Sequence, residues 1–147
     1  MPHFTLPVMQ TGPMVDMRVS VSAARYEALT LANIPIPPPQ TIRALVDTGA
    51  SCTCMDPMIF IALSLQPTGS IPMLTPSTGS TPIDADTYDV GIVVPSGNQP
   101  ALLIPSMAVS ASELFVAQGF HALLGRDILS RCVLNYNGST GLFTLAY

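Results

Sequence analysis

Along the chain, Val15, Met17, Val19 and Val21 alternate with Asp16, Arg18, Ser20 and Ser22. A period of two predicts a half-buried strand. Ala23 to Asn33 carries apolar residues at Ala24, Ala28, Leu31 and Ala32, which predicts a short helix closed by Asn33. Pro35, Pro37, Pro38 and Pro39 then exclude a central strand over Ile34 to Gln40, leaving a rigid extended connector. Thr41 to Val46 reads as a second strand, running directly into Asp47-Thr48-Gly49-Ala50-Ser51. Asp56 before Pro57 has the form of an N-cap and first helical position, with the helix covering about 57–64 and Pro67 closing its exit.

Ile71 to Thr75 and Ile83 to Val94 read as a long hairpin around the small polar tip Pro76-Ser77-Thr78-Gly79-Ser80-Thr81. A turn at 96–100 leads into a strand from Ala101 to about Val109. Ser110 to Gly119 is ambiguous: Ser110 and Glu113 fit a capping box, and Gly119 fits a helix stop. Ala122 to Gly125 reads as a short buried strand and Arg126 to Arg131 as a helix with Ile128 and Leu129 inward. Val133 to Tyr136 and Leu142 to Tyr147 flank the turn 137–141. The sum is a mainly β chain with two or three short helices and no internal repeat.

Composition narrows the possibilities. The 147 residues fit a single domain over 1–147, and with 48% hydrophobic against 10% charged residues the chain is not expected to be disordered. The cationic residues are Arg18, Arg25, Arg43, Arg126 and Arg131, with no lysine, and the net charge is −4. That balance offers no footprint for nucleic acid or an anionic membrane. The densest apolar run, Pro57 to Leu65, falls short of the roughly 20 residues of a spanning helix. No basic region followed by an apolar block is visible at the start, so a cytoplasmic location is expected. The apolar excess implies either a large core or a face buried against another copy. Cys52, Cys54 and Cys132 have no His close in sequence to complete a zinc pattern, and read as reduced thiols.

The chemistry concentrates at Ala44-Leu45-Val46-Asp47-Thr48-Gly49-Ala50-Ser51. An apolar strand delivers a carboxylate onto a tight turn, Gly49 allows close backbone approach, and Thr48 offers a hydroxyl to whatever faces it. Asp, Thr, Gly and Ser all suit turns, so the three letters Asp-Thr-Gly alone would mark an ordinary junction. Other constellations are weaker. Ser51 with His121 lacks the Gly-x-Ser-x-Gly elbow, and neither Cys52 nor Cys54 has a His placed beside it. Thr78-Gly79-Ser80 has no Lys beside it to make a phosphate loop.

Taken together, the apolar strand before Asp-Thr-Gly, the small residues after it, the polar-tipped hairpin and Leu123-Leu124-Gly125-Arg126-Asp127-Ile128-Leu129 resemble the retropepsin-like aspartic peptidases in this order. The resemblance covers roughly 41–147 and is nearer to bacterial and Ddi1-like cellular members than to viral ones; residues 1–40 look like an elaboration of strand, helix and connector. It implies a closed, barrel-like β fold, a symmetric homodimer, a polypeptide substrate and no metal or other cofactor. Asp47 would be catalytic, one from each chain, because Asp16, Asp56, Asp84, Asp86, Asp89 and Asp127 lack the following Thr-Gly or Ser-Gly. Thr48, Gly49, Ala50, Leu124 and Gly125 would support the catalytic loop, and Thr78, Gly79 and Ser80 would meet substrate from the hairpin tip. Where viral members place acidic residues that bind substrate backbone, this chain has Ser51 and Cys52. The alternative is a catalytically silent dimerisation or peptide-binding module on the same fold.

Overall fold

The computed structural model describes residues 1–75, 78–113 and 116–147. Pro76 and Ser77 of the hairpin tip, and Leu114 and Phe115 of the ambiguous stretch, lie outside the described residues. The chain opens with β1 (His3–Met9) and β2 (Gly12–Val21), followed by α1 (Ala23–Leu31) and β3 (Gln40–Val46). Next come β4 (Cys54–Met55), α2 (Pro57–Ala62), β5 (Gly69–Met73), β6 (Ile83–Ser96) and β7 (Gln99–Ala111). After a 3₁₀ turn (Val116–Gln118) follow β8 (Ala122–Leu124), α3 (Arg126–Leu129), β9 (Val133–Asn137) and β10 (Leu142–Ala146).

Local signals did much of the placing. Ser22 caps α1 by accepting from the Arg25 N–H, and Asn33 leaves the helix in the left-handed region at φ 56°. Asp56 caps α2 by accepting from the Met58 N–H at 3.0 Å, with Pro57 at the first position. That helix ends earlier than its apolar run, because Ser64 turns left-handed at φ 52°. One expectation fails: Ser110 caps no helix. It is part of β7, which runs on to Ala111, and its side chain is buried against the loop that carries Thr53. The strand β1 was also not read from the sequence; it forms a hairpin end with β2 and lies along β10.

A closed barrel emerges from the pairings. β6 pairs with β7, β7 runs parallel to β4, β4 is antiparallel to β8, β8 is parallel to β3, and β3 is antiparallel to β2. β2 then returns to β6 through Arg18↔Val93 to Val21↔Val90, closing a ring of six strands. Outside the ring, β5 extends β6 as the long hairpin, and β1, β10 and β9 extend from β2. The ring encloses Val15, Met17 and Val19 of β2, Ala44 and Val46 of β3, Ile92 and Val94 of β6, and Leu124 of β8. Alternation puts Asp16 and Arg43 outside, where they are register partners joined at 3.0 Å. That hydrogen bond raises the Arg43 pKa, but at so exposed a site the pair adds little stability. Phe60 of α2 stacks on Tyr88 of β6 with ring centroids 4.0 Å apart and seals the core beneath the helix. Among the described residues, no helix is long and apolar enough to cross a membrane.

Gly91 marks where β6 must serve both β7 and β2, at an irregularity between Val90 and Ile92. A Cβ there would stand 2.8 Å from Ser20 Oγ and 3.1 Å from the Val21 carbonyl oxygen, so β6 can approach β2 only with glycine at this position. Gly91→Val is expected to cost about 1–3 kcal/mol of stability by prising the closure open. A urea titration would show it as a lower midpoint, and an unchanged midpoint would mean that the closure is not tight here.

Candidate active site

The carboxylate of Asp47 stands just beyond β3, at the rim of the barrel. β3 lies parallel to β8 with Val46 opposite Leu124, and the Asp47 N–H donates to the Leu124 carbonyl at 3.1 Å. Past that point the chain has no ladder of its own. The Ala50 N–H donates to the Asp47 carbonyl at 3.3 Å, and the Gly49 N–H donates to Asp47 Oδ1 at 2.8 Å. A local N–H donor thus orients the carboxylate, as the Asp-Thr-Gly turn predicts.

Most of what holds this turn comes from the start of α3. The Arg126 N–H donates to the Ala50 carbonyl at 3.0 Å. The Arg126 guanidinium, through Nη1, donates to the carbonyls of Thr48 at 2.9 Å and Gly49 at 3.2 Å. These are charge-assisted bonds to backbone acceptors that would otherwise face solvent. Sequence reasoning did not anticipate this role for Arg126, because backbone carbonyls leave no mark in the sequence.

Beneath the turn lies a second tie, around Thr53. The Thr53 N–H and hydroxyl donate to the two oxygens of Asp127, each at 2.7 Å. The same hydroxyl accepts from the Gly125 N–H at 3.1 Å. Asp127 Oδ1 also accepts from its neighbour's N–H, at Ile128, so it serves the helix start that the sequence predicted as well. Gly125 is required by space: a Cβ would stand 2.5 Å from the Cys52 carbonyl carbon and 2.6 Å from its oxygen. Leu124 is fully buried and anchors this layer in the core.

Above the turn is a cleft of about 610 Å³. Asp47, Gly49, Ala50, Ser51, Cys52 and Cys54 line one part, with Leu123 and Ser112, and Ile71 to Thr75 of the hairpin line another. Asp47 is the one carboxylate in that lining among the described residues. Asp127 is engaged by Thr53, Asp56 caps α2, and Asp16 pairs with Arg43. Asp84, Asp86 and Asp89 lie on β6. Thr48 is exposed beside the cleft. The cleft wall on the hairpin reaches Thr75. Of the tip residues, Thr78 folds back, exchanging bonds with the Thr75 N–H at 2.9 Å and carbonyl at 3.0 Å, while Gly79 (φ 62°) and Ser80 are exposed.

Alternative nucleophiles fare poorly. Burial pushes the Cys54 thiol up to about 11, helped by the negative charge at Cys52, Asp47 and Asp127 and opposed by a backbone hydrogen bond from Leu123. It is therefore protonated at neutral pH and inert as a nucleophile. His121 sits ahead of β8, its N–H bonded to the Arg43 carbonyl and its carbonyl to the Asp56 N–H, and it does not line the cleft with Ser51.

Among solved structures, the chain is similar to a retropepsin-like aspartic protease from Rickettsia conorii. Identity is 17% and the TM-score 0.55, with 99% of this chain and 90% of that one covered. No protein-family model matches the chain, and no curated protein matches it. At this identity the likeness shows the fold, a mainly β retropepsin-like barrel with few short helices.

Thr53→Val keeps the shape and removes the hydroxyl, stranding the Gly125 N–H and leaving Asp127 Oδ1 with the Ile128 N–H alone. Thermal or urea unfolding should show a loss of about 1–3 kcal/mol; an unperturbed variant would show the tie to be dispensable. Cys54 makes a separate prediction. Its folded pKa lies above the ordinary value of 9.0, so the folded state holds the proton more tightly than the unfolded one. Its contribution is complete below about pH 9 and is lost as pH rises toward about 11. Stability measured across that window should fall in the wild type and fall less steeply in Cys54→Ala.

Proposed function

We propose that the chain is an aspartic endopeptidase that works as a homodimer, with Asp47 of each copy forming the catalytic pair. The supporting observation is a lone carboxylate, Asp47, on a clamped turn at the floor of a cleft that holds no second acid among the described residues. Hydrolysis by this chemistry needs two carboxylates, and a two-fold axis between copies supplies the second from the same sequence position.

Two carboxylates brought within a few ångströms share one proton, since both cannot ionise at once. The ionised partner takes a proton from a water lying between them as that water adds to the peptide carbonyl. The protonated partner donates to the carbonyl oxygen and stabilises the charge that develops there. Collapse of the tetrahedral adduct breaks the C–N bond, and the amine leaves with a proton from the pair. The substrate lies extended in the cleft, where Ile71 to Thr75 present a strand wall for main-chain hydrogen bonding. Thr48, exposed at the rim, faces the matching turn of the second copy, and the hairpin tip at Thr78, Gly79 and Ser80 closes over the peptide. The free thiols Cys52, Cys54 and Cys132 suit a reducing compartment, which supports a cytoplasmic setting.

Asp47→Asn replaces one carboxylate oxygen with an amide and should lower cleavage of an unfolded protein by about a thousandfold or more, with unfolding midpoint little changed. Wild-type specific activity should also fall on dilution as copies separate, in step with the mass measured by ultracentrifugation. A wild type that binds peptides but never cuts, from acid to neutral pH, would mark the silent module instead.

A further inference from the structure

Three successive carbonyls of the turn after β3, those of Thr48, Gly49 and Ala50, all accept from one residue, Arg126. Nη1 of its guanidinium reaches Thr48 at 2.9 Å and Gly49 at 3.2 Å, and its backbone N–H reaches Ala50 at 3.0 Å. A trans peptide points its carbonyl and its N–H in opposite directions. Holding the carbonyls toward Arg126 therefore fixes where the N–H groups of the same peptide units go. The Thr48 carbonyl shares its unit with the Gly49 N–H, which donates to Asp47 Oδ1 at 2.8 Å. The Gly49 carbonyl shares its unit with the Ala50 N–H, which donates to the Asp47 carbonyl at 3.3 Å. Two peptide units thus stand between one cation and one aspartate, each with its negative end on Arg126 and its positive end on Asp47.

Nothing local forces this orientation. Peptide units beside a glycine turn over readily, and position 49 takes a glycine because a Cβ there would stand 3.0 Å from Asp47 Oδ1. Turning over the 48–49 unit would face the carboxylate with a carbonyl oxygen in place of an N–H. Arg126 opposes that with charge-assisted donors. A donor at the carbonyl end also polarises the unit and strengthens its N–H end. Arg126 is itself exposed and does not line the cleft, so it acts on the carboxylate through the turn. We propose that Arg126 is a positioning residue for Asp47: it locks the 48–49 and 49–50 peptide units so that the Gly49 N–H holds Oδ1 and leaves Oδ2 to face the water and the second copy. The catalytic consequence rests on the peptidase reading, whereas the hold on the turn does not.

The test pairs proton–nitrogen NMR of the full chain with steady-state cleavage of a peptide. An amide bonded to a carboxylate resonates downfield, so the Gly49 amide reports the hold directly, whether or not the protein cuts. Arg126→Met should move that signal upfield and lower kcat by about a hundredfold, the scale of a misplaced reacting group. KM should stay within about twofold, because no contact to substrate is removed. Arg126→Lys keeps the charge but not the fork, and should recover at least about tenfold of the lost rate. Arg131→Met removes an equal charge from an exposed position just past α3 and should change neither readout. Rates are compared at concentrations where ultracentrifugation shows a dimer, and a variant that stays monomeric is scored on the amide alone. Should Arg126→Met fail to fold, Arg126→Lys carries the comparison, with a smaller upfield shift and a smaller loss of kcat. A Gly49 amide that stays in place in a folded Arg126 variant would overturn the hold. A shifted amide with kcat unchanged, or a loss confined to KM, would overturn the positioning role. An absence of cleavage by the wild type would fault the peptidase reading and leave the amide result standing.

Discussion

Everything at the candidate centre depends on one constraint: the turn after β3 has no secondary structure of its own and must be held from outside. Its backbone groups find partners on the junction between β8 and α3. The Leu124 carbonyl takes the Asp47 N–H, the Arg126 N–H reaches Ala50, and the Arg126 guanidinium covers Thr48 and Gly49. Polar backbone groups near a core must be paired, so this junction determines where the carboxylate can point. The Asp127 carboxylate performs two tasks, starting α3 and gripping Thr53, and so couples the helix to the loop.

The barrel makes that arrangement possible. β3 and β8 are parallel neighbours although most of the chain separates them. Parallel neighbours need a long crossover, and here the crossover contains the hairpin that becomes the cleft wall. β4 is only Cys54–Met55, yet it fits between β7 and β8 and places Cys54 under the cleft. Closure of β2 onto β6 completes the ring around a cluster of apolar side chains. The site is therefore rigid on its floor and depends on the hairpin for its opposite wall.

Particular residues explain which features could be read early. The alternation in β2, the Asp56-Pro57 start of α2 and the Asn33 exit from α1 are local, and each is found where the pattern predicts it. Ser110 misled because a capping-box spelling has no meaning inside a long strand, and the extension of β7 was decided by its pairing with β6. β1 escaped notice because its residues are mostly exposed and its partner β10 lies at the other end of the chain. Asp127 was legible as a helix start, while its grip on Thr53 was not, since that bond joins residues 74 positions apart in the chain.

The order of residues by itself determined that Asp47 would leave an apolar strand on a glycine turn, and that Leu124 and Gly125 would precede a short helix. Those are consequences of hydrophobic period and backbone freedom, which act over a few residues. Tertiary structure alone decided that the two segments meet, that Gly125 packs without room for a Cβ against Cys52, and that Arg126 covers the turn. The physical reason is range: hydrogen bonds and close packing between distant segments exist only after the barrel has closed and brought their backbones into register.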